Sequence, residues 1–555
     1  MVRKFLSDLK NEFAGYNATK FGRDLMAGLT VTAVALPLAL AFGVSGGADA
    51  AAGLITAILG GIIIGFFSGA SYQISGPTGA MSAILITIVL KYQLQGVFLA
   101  TLMAGVILLI AGFFRLGKLI GFIPSPVITG FTSGIALIIA LGQVDNFFGN
   151  ISPDGTTLEK IVLYFTQGFS VNFQTLGIGL LVVLIMVFYP KKWNSFVPSS
   201  LVAIIIAGLV SNLAGFKIAV VGDIPRTLLP EARLSFSGIN LAMIKDLISP
   251  AVSIAALGMI ESLLCGASAS KMKNEPFDAD RELVAQGIGN IIIPFFGGVP
   301  ATAAIARTSV AIKSGSETRL TGIIHSLGLL ASMFLLGGVM AKLPLAALSG
   351  VLMVTAWRMN EWKAIKYFFT KRFKTAIAQF LITMIATVVL DLTWAIIIGL
   401  GISIFLFVIH ASNLRINLSP VENSRLPEVF KNKDIESVNG KTIVMYVSGP
   451  LFFTTAYKLA ETLPKIQDCA KLIFSFRGCS TIDLPGVQAL IDFTREVQKR
   501  GVKVEFCGVQ DSIKSYMDRS GFTKELKDTP FFSSVDRALL YSYEESTKLE
   551  QSPVN

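Results

Sequence analysis

The chain has 555 residues, 53% of them hydrophobic and only 15% charged, with a formal net charge of +11. A soluble protein of this length needs more charge to cover its surface, so lipid is the solvent that suits most of the composition. The basic balance does not call for a nucleic-acid partner, because basic cytoplasmic loops are ordinary in membrane proteins; two histidines, four cysteines and no CxxC offer no framework for a zinc site or disulfides.

Residues 1–23, opening MVRKFLSDLKNEFAGY, read as a charged amphipathic cytoplasmic segment without the apolar stretch and cleavage site of a secretory signal. About 20 apolar residues cross a hydrocarbon core as a helix. Windows of that kind predict about fourteen spans within 24–411. They lie near 24–45, 49–68, 73–90, 97–114, 119–144, 174–190, 198–215, 247–266, 283–295, 301–313, 319–341, 344–357, 373–391 and 393–411. The third, ninth, tenth and twelfth are short or interrupted by Gly and Pro. Loops after even-numbered spans carry about fifteen Lys and Arg, Lys191, Lys192, Arg281 and Arg319 among them, against about seven on the other side. That bias places both termini in the cytoplasm. Asp391, between the last two spans, reads as an outer-loop residue.

Residues 412–438 read as a linker and 439–555 as a small soluble α/β domain. Strands are predicted at Thr442–Ser448, Lys471–Phe476 and Val502–Cys507, separated by helical patterns over Thr454–Gln467, Pro485–Lys499 and Ser512–Ser520. The domain has no phosphate loop and no catalytic cluster, which suits a regulatory or assembly module.

Two pairs of landmarks recur at one offset. Ser75-Gly76-Pro77-Thr78-Gly79-Ala80 opens the third span and Gly298-Val299-Pro300-Ala301-Thr302-Ala303 the tenth; Ile123-Pro124 and Leu343-Pro344 open the fifth and twelfth. Both offsets are roughly 220 residues, so the spans divide into two inverted halves of seven. Interrupted helices in matching positions point to a transport site. A helix that starts in mid-membrane leaves its first N–H groups unpaired, and these, with the aligned peptide dipoles, favour an anion. The half-helix starts at Pro77 and Pro300 would form such a cradle.

Two ionisable residues interrupt apolar spans: Glu261 in the eighth and Arg307 in the tenth. Charge at that depth costs at least about 2.5–3.5 kcal/mol and is usually paired or functional. Arg307 is read as the cation of the anion site, against snorkelling to the surface. For Glu261 three readings stand: a proton carrier, a partner of Arg307, or a ligand of a cation. His325, near the start of the eleventh span, carries a weak signal for coupling.

The chain resembles the sulfate permease (SulP) family of anion transporters, with its C-terminal STAS domain. The resemblance rests on Ala35-Leu36-Pro37-Leu38-Ala39-Leu40-Ala41-Phe42, Ser75-Gly76-Pro77-Thr78-Gly79, Glu261-Ser262-Leu263-Leu264 and Phe296-Gly297-Gly298-Val299-Pro300-Ala301-Thr302. It implies a seven-plus-seven inverted repeat, a core domain moving against a gate domain by elevator-like alternating access, and a homodimer. It places a substrate between the first, third, eighth and tenth spans. Phe42, Thr78, Gly79, Ala301, Thr302 and Arg307 then bind the substrate and Glu261 serves coupling, with no cofactor or metal. Relatives carry sulfate, bicarbonate, chloride or C4-dicarboxylates, often with protons or sodium.

Departures narrow this. Many relatives carry an acid where this chain has Ser270. Sodium–bicarbonate relatives tend to have Asp at the Glu261 position and no Arg at the Arg307 position. Leu484 follows Asp483 where anti-sigma-factor antagonists have a phosphorylatable Ser. The absence of the long STAS insert of animal relatives suggests a bacterial protein of the plasma membrane. The expectation is secondary active transport of a small anion, by symport or exchange and coupled to protons. Its alternatives are an uncoupled channel and a sodium-coupled bicarbonate transporter. A nucleobase carrier fits less well, since the tenth span offers Arg307 and no acid; a sensor acting through a cytoplasmic partner of the STAS domain is a further alternative.

Overall fold

The computed structural model describes residues 2–118, 123–152, 157–166, 168–190, 193, 197–222, 224, 226–390, 392–421, 441–466, 469–527 and 529–541. Lys191, Lys192, Asp391, Gln467 and residues 422–438 of the predicted linker lie outside them. The chain forms two compact units, Met1–Ser403 and Ile404–Asn555.

In chain order the helices begin with α1 (Val2–Glu12), α2 (Ala18–Ser45) and α3 (Ala50–Phe67), the last with a π-helical turn over Gly60–Ile64. A two-residue strand, β1 (Ser75–Gly76), precedes α4 (Gly79–Phe113). α4 breaks at Gln93, whose φ of 52° is non-helical, and so supplies the third and fourth predicted spans. Then come α5 (Ser125–Gly142), α6 (Val144–Phe148), α7 (Thr157–Thr166), α8 (Phe173–Phe188), α9 (Ser199–Leu213), α10 (Leu241–Lys273) and α11 (Ala279–Ile292). A second two-residue strand, β2 (Thr302–Ala303), precedes the short α12 (Ile305–Lys313). The unit continues with α13 (Leu320–Met340), α14 (Leu345–Met359), α15 (Trp362–Thr370), α16 (Lys374–Val389) and α17 (Leu392–Ala411).

Among the described residues six helices are long and apolar enough to cross a bilayer alone, and five more are apolar but shorter. The ends of these helices are written in the sequence. Asn17, Asp49, Asn172 and Asn240 each accept a hydrogen bond from an N–H of the first turn that follows, satisfying groups that a helix leaves unpaired. Pro124 and Pro344, the matched landmarks, sit in extended conformation immediately before α5 and α14.

The packing carries the two-fold relation inferred from those landmarks. α2 lies along α13 as α10 lies along α4, and α5 lies along α16 as α14 lies along α8. α2, α3, α4 and α10–α13 therefore form one group, and α5, α8, α9, α14 and α16 another. One apolar cluster runs through both, from Leu40 and Ile55 to Val182 and Val351.

The amphipathic α1 docks on the first group by ion pairs: Lys4 with Asp278 (2.6 Å), Asp8 with Arg281 (2.5 Å) and Glu12 with Arg319 (2.7 Å). The Phe5 ring lies against both guanidinium groups. Asp24, fully buried, accepts hydrogen bonds from the Glu317 and Thr318 N–H groups and from the hydroxyls of Tyr16, Thr318 and Thr321. It thereby ties the start of α2 to the start of α13.

The second unit holds a five-stranded sheet ordered β3-β4-β5-β6-β7. Its strands are β3 (Arg415–Pro420), β4 (Thr442–Ser448), β5 (Lys471–Gly478), β6 (Lys503–Cys507) and β7 (Phe531–Phe532). The helices α18 (Tyr457–Thr462), α19 (Leu484–Lys499), α20 (Asp511–Arg519) and α21 (Phe522–Glu525) accompany it. β4 to β7 are parallel and β3 is antiparallel at the edge. β3 lies in the stretch read as linker: it is half exposed, ends in Pro420, and shows no apolar run to betray it. Stacked Phe474 and Phe506 rings, 4.8 Å apart, mark the core. Asp483 caps α19 through the Gly486 N–H, and Leu484 beside it is exposed.

Candidate functional site

The two Gly/Pro landmarks meet. β1 and β2 pair antiparallel, Ser75 opposite Ala303 and Gly76 opposite Thr302. Each strand leads into a helix, β1 into α4 and β2 into α12. The pairing corrects one detail of the sequence reading: Ala301, Thr302 and Ala303 belong to an extended segment, and the tenth span starts its helix at Ile305. Backbone pairing with β1 overrides the helix preference of an Ala-rich stretch.

The two helix starts differ from those after Asn17, Asp49, Asn172 and Asn240, and share with α5 and α14 the lack of a side-chain cap. Thr78 is the residue before α4 and Ala304 the residue before α12, and neither makes a side-chain cap. Ala304 has no oxygen to offer. Thr78 has one, of a residue type favoured for capping, but its hydroxyl donates to Glu261 Oε2 at 2.9 Å. The first-turn N–H groups of both helices are thus left to other partners.

Arg307 spans the pair. It stands in the first turn of α12, is 1% exposed, and its Nη2 donates to the Pro77 carbonyl at 3.0 Å, just before α4. Its Nη1 has no hydrogen-bond partner among the described residues. Gly76 makes room for it, since a Cβ there would lie 2.5 Å from Nη1. The Arg307 side chain therefore turns inward, against Gly76 and the Pro77 carbonyl, rather than outward. The hydrogen bond of Glu261, on α10, is to Thr78 and not to Arg307.

Phe42 and Gly79 are neighbours: a Cβ at Gly79 would meet Phe42 Cε1 at 2.9 Å and Ile139 Cδ1, from α5, at 2.5 Å. Ser82 Oγ donates to the Phe42 carbonyl, fixing α2 to α4 at this point. Ala301 and Thr302 sit behind the helix starts. Both are fully buried; the Thr302 hydroxyl meets Ser262 Oγ at 2.9 Å, and both backbone groups of Ala301 are bound by Asn290. His325 lies on α13, fully buried, with neither ring nitrogen partnered among the described residues.

Sequence reading did not single out Asn290, Gln286, Glu282 or Thr56, which hold this region from behind. A signal was present for three of them: Glu282, Gln286 and Asn290 recur every four residues along the ninth span, one face of a helix.

Interrupted helices at matching positions in two halves of a many-helix membrane protein are a mark of transporters. The family comparison agrees. The sulfate permease family model matches residues 21–403 and the STAS domain model residues 432–538. The chain belongs to the sulfate permease family: it is a multi-pass membrane transporter of anions, not an enzyme, with a C-terminal STAS domain. It is 34% identical to "Putative sulfate transporter YvdB" of Bacillus subtilis, over 94% of this chain and 98% of that one. It is 27% identical to the bicarbonate transporter BicA of a Picosynechococcus strain, over 93% and 94%. Among solved structures, the transmembrane domain of a cyanobacterial BicA matches with a TM-score of 0.63 at 30% identity, covering 69% of this chain and 98% of that one. Murine Slc26a9 in its inward-facing state matches with a TM-score of 0.82 at 17% identity, covering 97% and 98%, a likeness of fold.

Proposed function

We propose that this protein is a secondary active transporter of a small oxyanion or carboxylate, of the sulfate or bicarbonate kind, and that the anion binds where α4 and α12 begin. One observation carries the proposal: two uncapped helix starts share a buried guanidinium whose Nη1 is unpartnered. N–H groups and dipoles at both starts favour negative charge, and Arg307 adds a full positive charge at low dielectric. An anion would in turn relieve the cost of holding Arg307 buried. Phe42, Thr78 and Gly79 line the site, while Ala301 and Thr302 shape it from behind.

Glu261, joined to the site through Thr78, is the coupling residue, which supports symport or exchange with protons. The names of the relatives support sulfate or bicarbonate as substrate. The core group α2–α4 with α10–α13 carries the anion past the other helices, with both termini on the cytoplasmic side of a bacterial plasma membrane and the chain a homodimer.

The test is uptake into proteoliposomes of labelled sulfate, bicarbonate and fumarate under imposed proton or sodium gradients. Gradient-driven accumulation of one of them, abolished by Arg307→Ala in protein that still inserts, is the expected result. Normal uptake by Arg307→Ala refutes the site. Large currents without gradient coupling would make the protein a channel, and strict sodium dependence would replace the proton.

A further inference from the structure

We propose that Asn290 and Thr56 are positioning residues for anion binding: they stand in for a missing strand and so fix the aim of α12. The inference rests on the binding site proposed above. From Val299 to Ala304 the backbone groups of alternate residues bond to opposite sides, as those of a strand do. On one edge Thr302 is paired with Gly76, and the Ala304 N–H donates to the Ile74 carbonyl at 2.9 Å. Among the described residues the other edge faces no strand. There the Val299 N–H donates to Thr56 Oγ1 at 2.7 Å, and the Val299 carbonyl lies 3.0 Å from the same hydroxyl. The Ala301 N–H donates to Asn290 Oδ1 at 2.8 Å and its carbonyl accepts from Asn290 Nδ2 at 2.9 Å, so one amide side chain copies both bonds of a ladder rung. The Ala303 N–H donates to Ser262 Oγ at 3.2 Å. Three side chains from three helices thus take successive rungs, and all three residues are at most 1% exposed.

Asn290 does this from α11, which also holds the other strand. Gln286, one turn earlier, donates to Ser75 Oγ on β1 at 3.0 Å and to Glu282 Oε1 at 2.8 Å. Glu282 is anchored in turn by Ser68 Oγ (2.6 Å) and the Gly69 N–H (3.0 Å). One face of one helix therefore sets the spacing of β1 and β2, and with it the spacing of the two N–H clusters and Arg307. A bound anion spans those groups, so a shift of a few tenths of an ångström behind them lengthens several charge-assisted hydrogen bonds together.

The experiment compares Asn290→Ala and Thr56→Val with the unaltered full-length protein in proteoliposomes. It uses labelled sulfate and bicarbonate, with thermal unfolding in detergent measured with and without the same anions. The expected result is a KM raised on the order of tenfold in each variant, a smaller shift of unfolding temperature by the anion, and a maximal rate per folded molecule that falls less than KM rises. A residue needed only for folding would lower the amount of active protein and leave KM unchanged, and that outcome in both variants overturns the proposal. Should Asn290→Ala not fold, the isosteric Thr56→Val decides the matter by its KM. If Arg307→Ala transports normally, the site itself is wrong. If Arg307→Ala is dead while both positioning variants keep the original KM, the site stands and only this inference falls.

Discussion

A single methyl group at Gly76 should weaken anion binding without harming the fold. Gly76 lies in β1 with φ outside the left-handed region, so alanine suits its backbone. Its Cβ would meet Ala57 Cα at 3.4 Å, an ordinary contact, but Arg307 Nη1 at only 2.5 Å. Restoring ordinary separation, about 3.5 Å, moves the guanidinium by about 1 Å. The moving part is the far end of a flexible side chain, so off-rotamer strain of about 0.5–1.5 kcal/mol bounds the folding cost. The displaced Nη1 is the Arg307 nitrogen with no partner among the described residues. Losing one charge-assisted bond to the anion costs about 1.5–3 kcal/mol, which is roughly a 10- to 150-fold rise in KM. The assay is concentration-dependent uptake in proteoliposomes, with unfolding temperature in detergent as the control. An unchanged KM in a stable Gly76→Ala protein would show that Nη1 does not face the anion, and the proposed site would lose its cation.

Glu261→Gln keeps the shape of the Thr78 contact and removes the ionisable group; transport rate measured from pH 5 to 8 should then vary less with pH than in the unaltered protein, and an identical profile would remove Glu261 from coupling. Glu12→Ala leaves Arg319, 3% exposed, without its carboxylate. Breaking a buried pair costs about 3–5 kcal/mol, so the unfolding temperature should fall clearly, whereas Asp8→Asn, at a carboxylate 38% exposed, should cost under about 1 kcal/mol. In the STAS domain, burial pushes the Cys507 thiol up to about 11 and raises that of Cys479. Because the thiolate is the reactive form, maleimide at pH 8 should label both cysteines slowly in folded full-length protein and quickly after denaturation; mass spectrometry that finds both modified at once in the folded state would contradict their burial.

The membrane architecture was legible because apolar length is a local property. Interrupted spans were legible too, since Gly and Pro mark where a helix cannot run on. The Gly/Pro stretch before the third span and that before the tenth, for example, hold the two short strands that precede α4 and α12. What stayed hidden depends on partners distant in sequence. Arg307 reads as a buried site cation from its place in an apolar span, but Pro77 is 230 positions away, and no local pattern says that the guanidinium will meet that carbonyl. The start of α12 was misplaced by four residues for the same reason, because Thr302 and Ala303 are strand only by virtue of β1. Short α6, α7 and α15 went unseen, being too brief to show a period. Asp24, which the sequence does not single out, is fully buried because its five donors come mostly from residues 317–321.

The β1–β2 pairing has a consequence for dissecting the molecule. A fragment ending before α10 would own Thr78 and Gly79 but not Arg307, while its complement would own Arg307 without the Pro77 carbonyl that holds its Nη2. Co-expressed as separate polypeptides, the two pieces could regain activity only by docking head to tail, each supplying one ribbon of a two-rung seam.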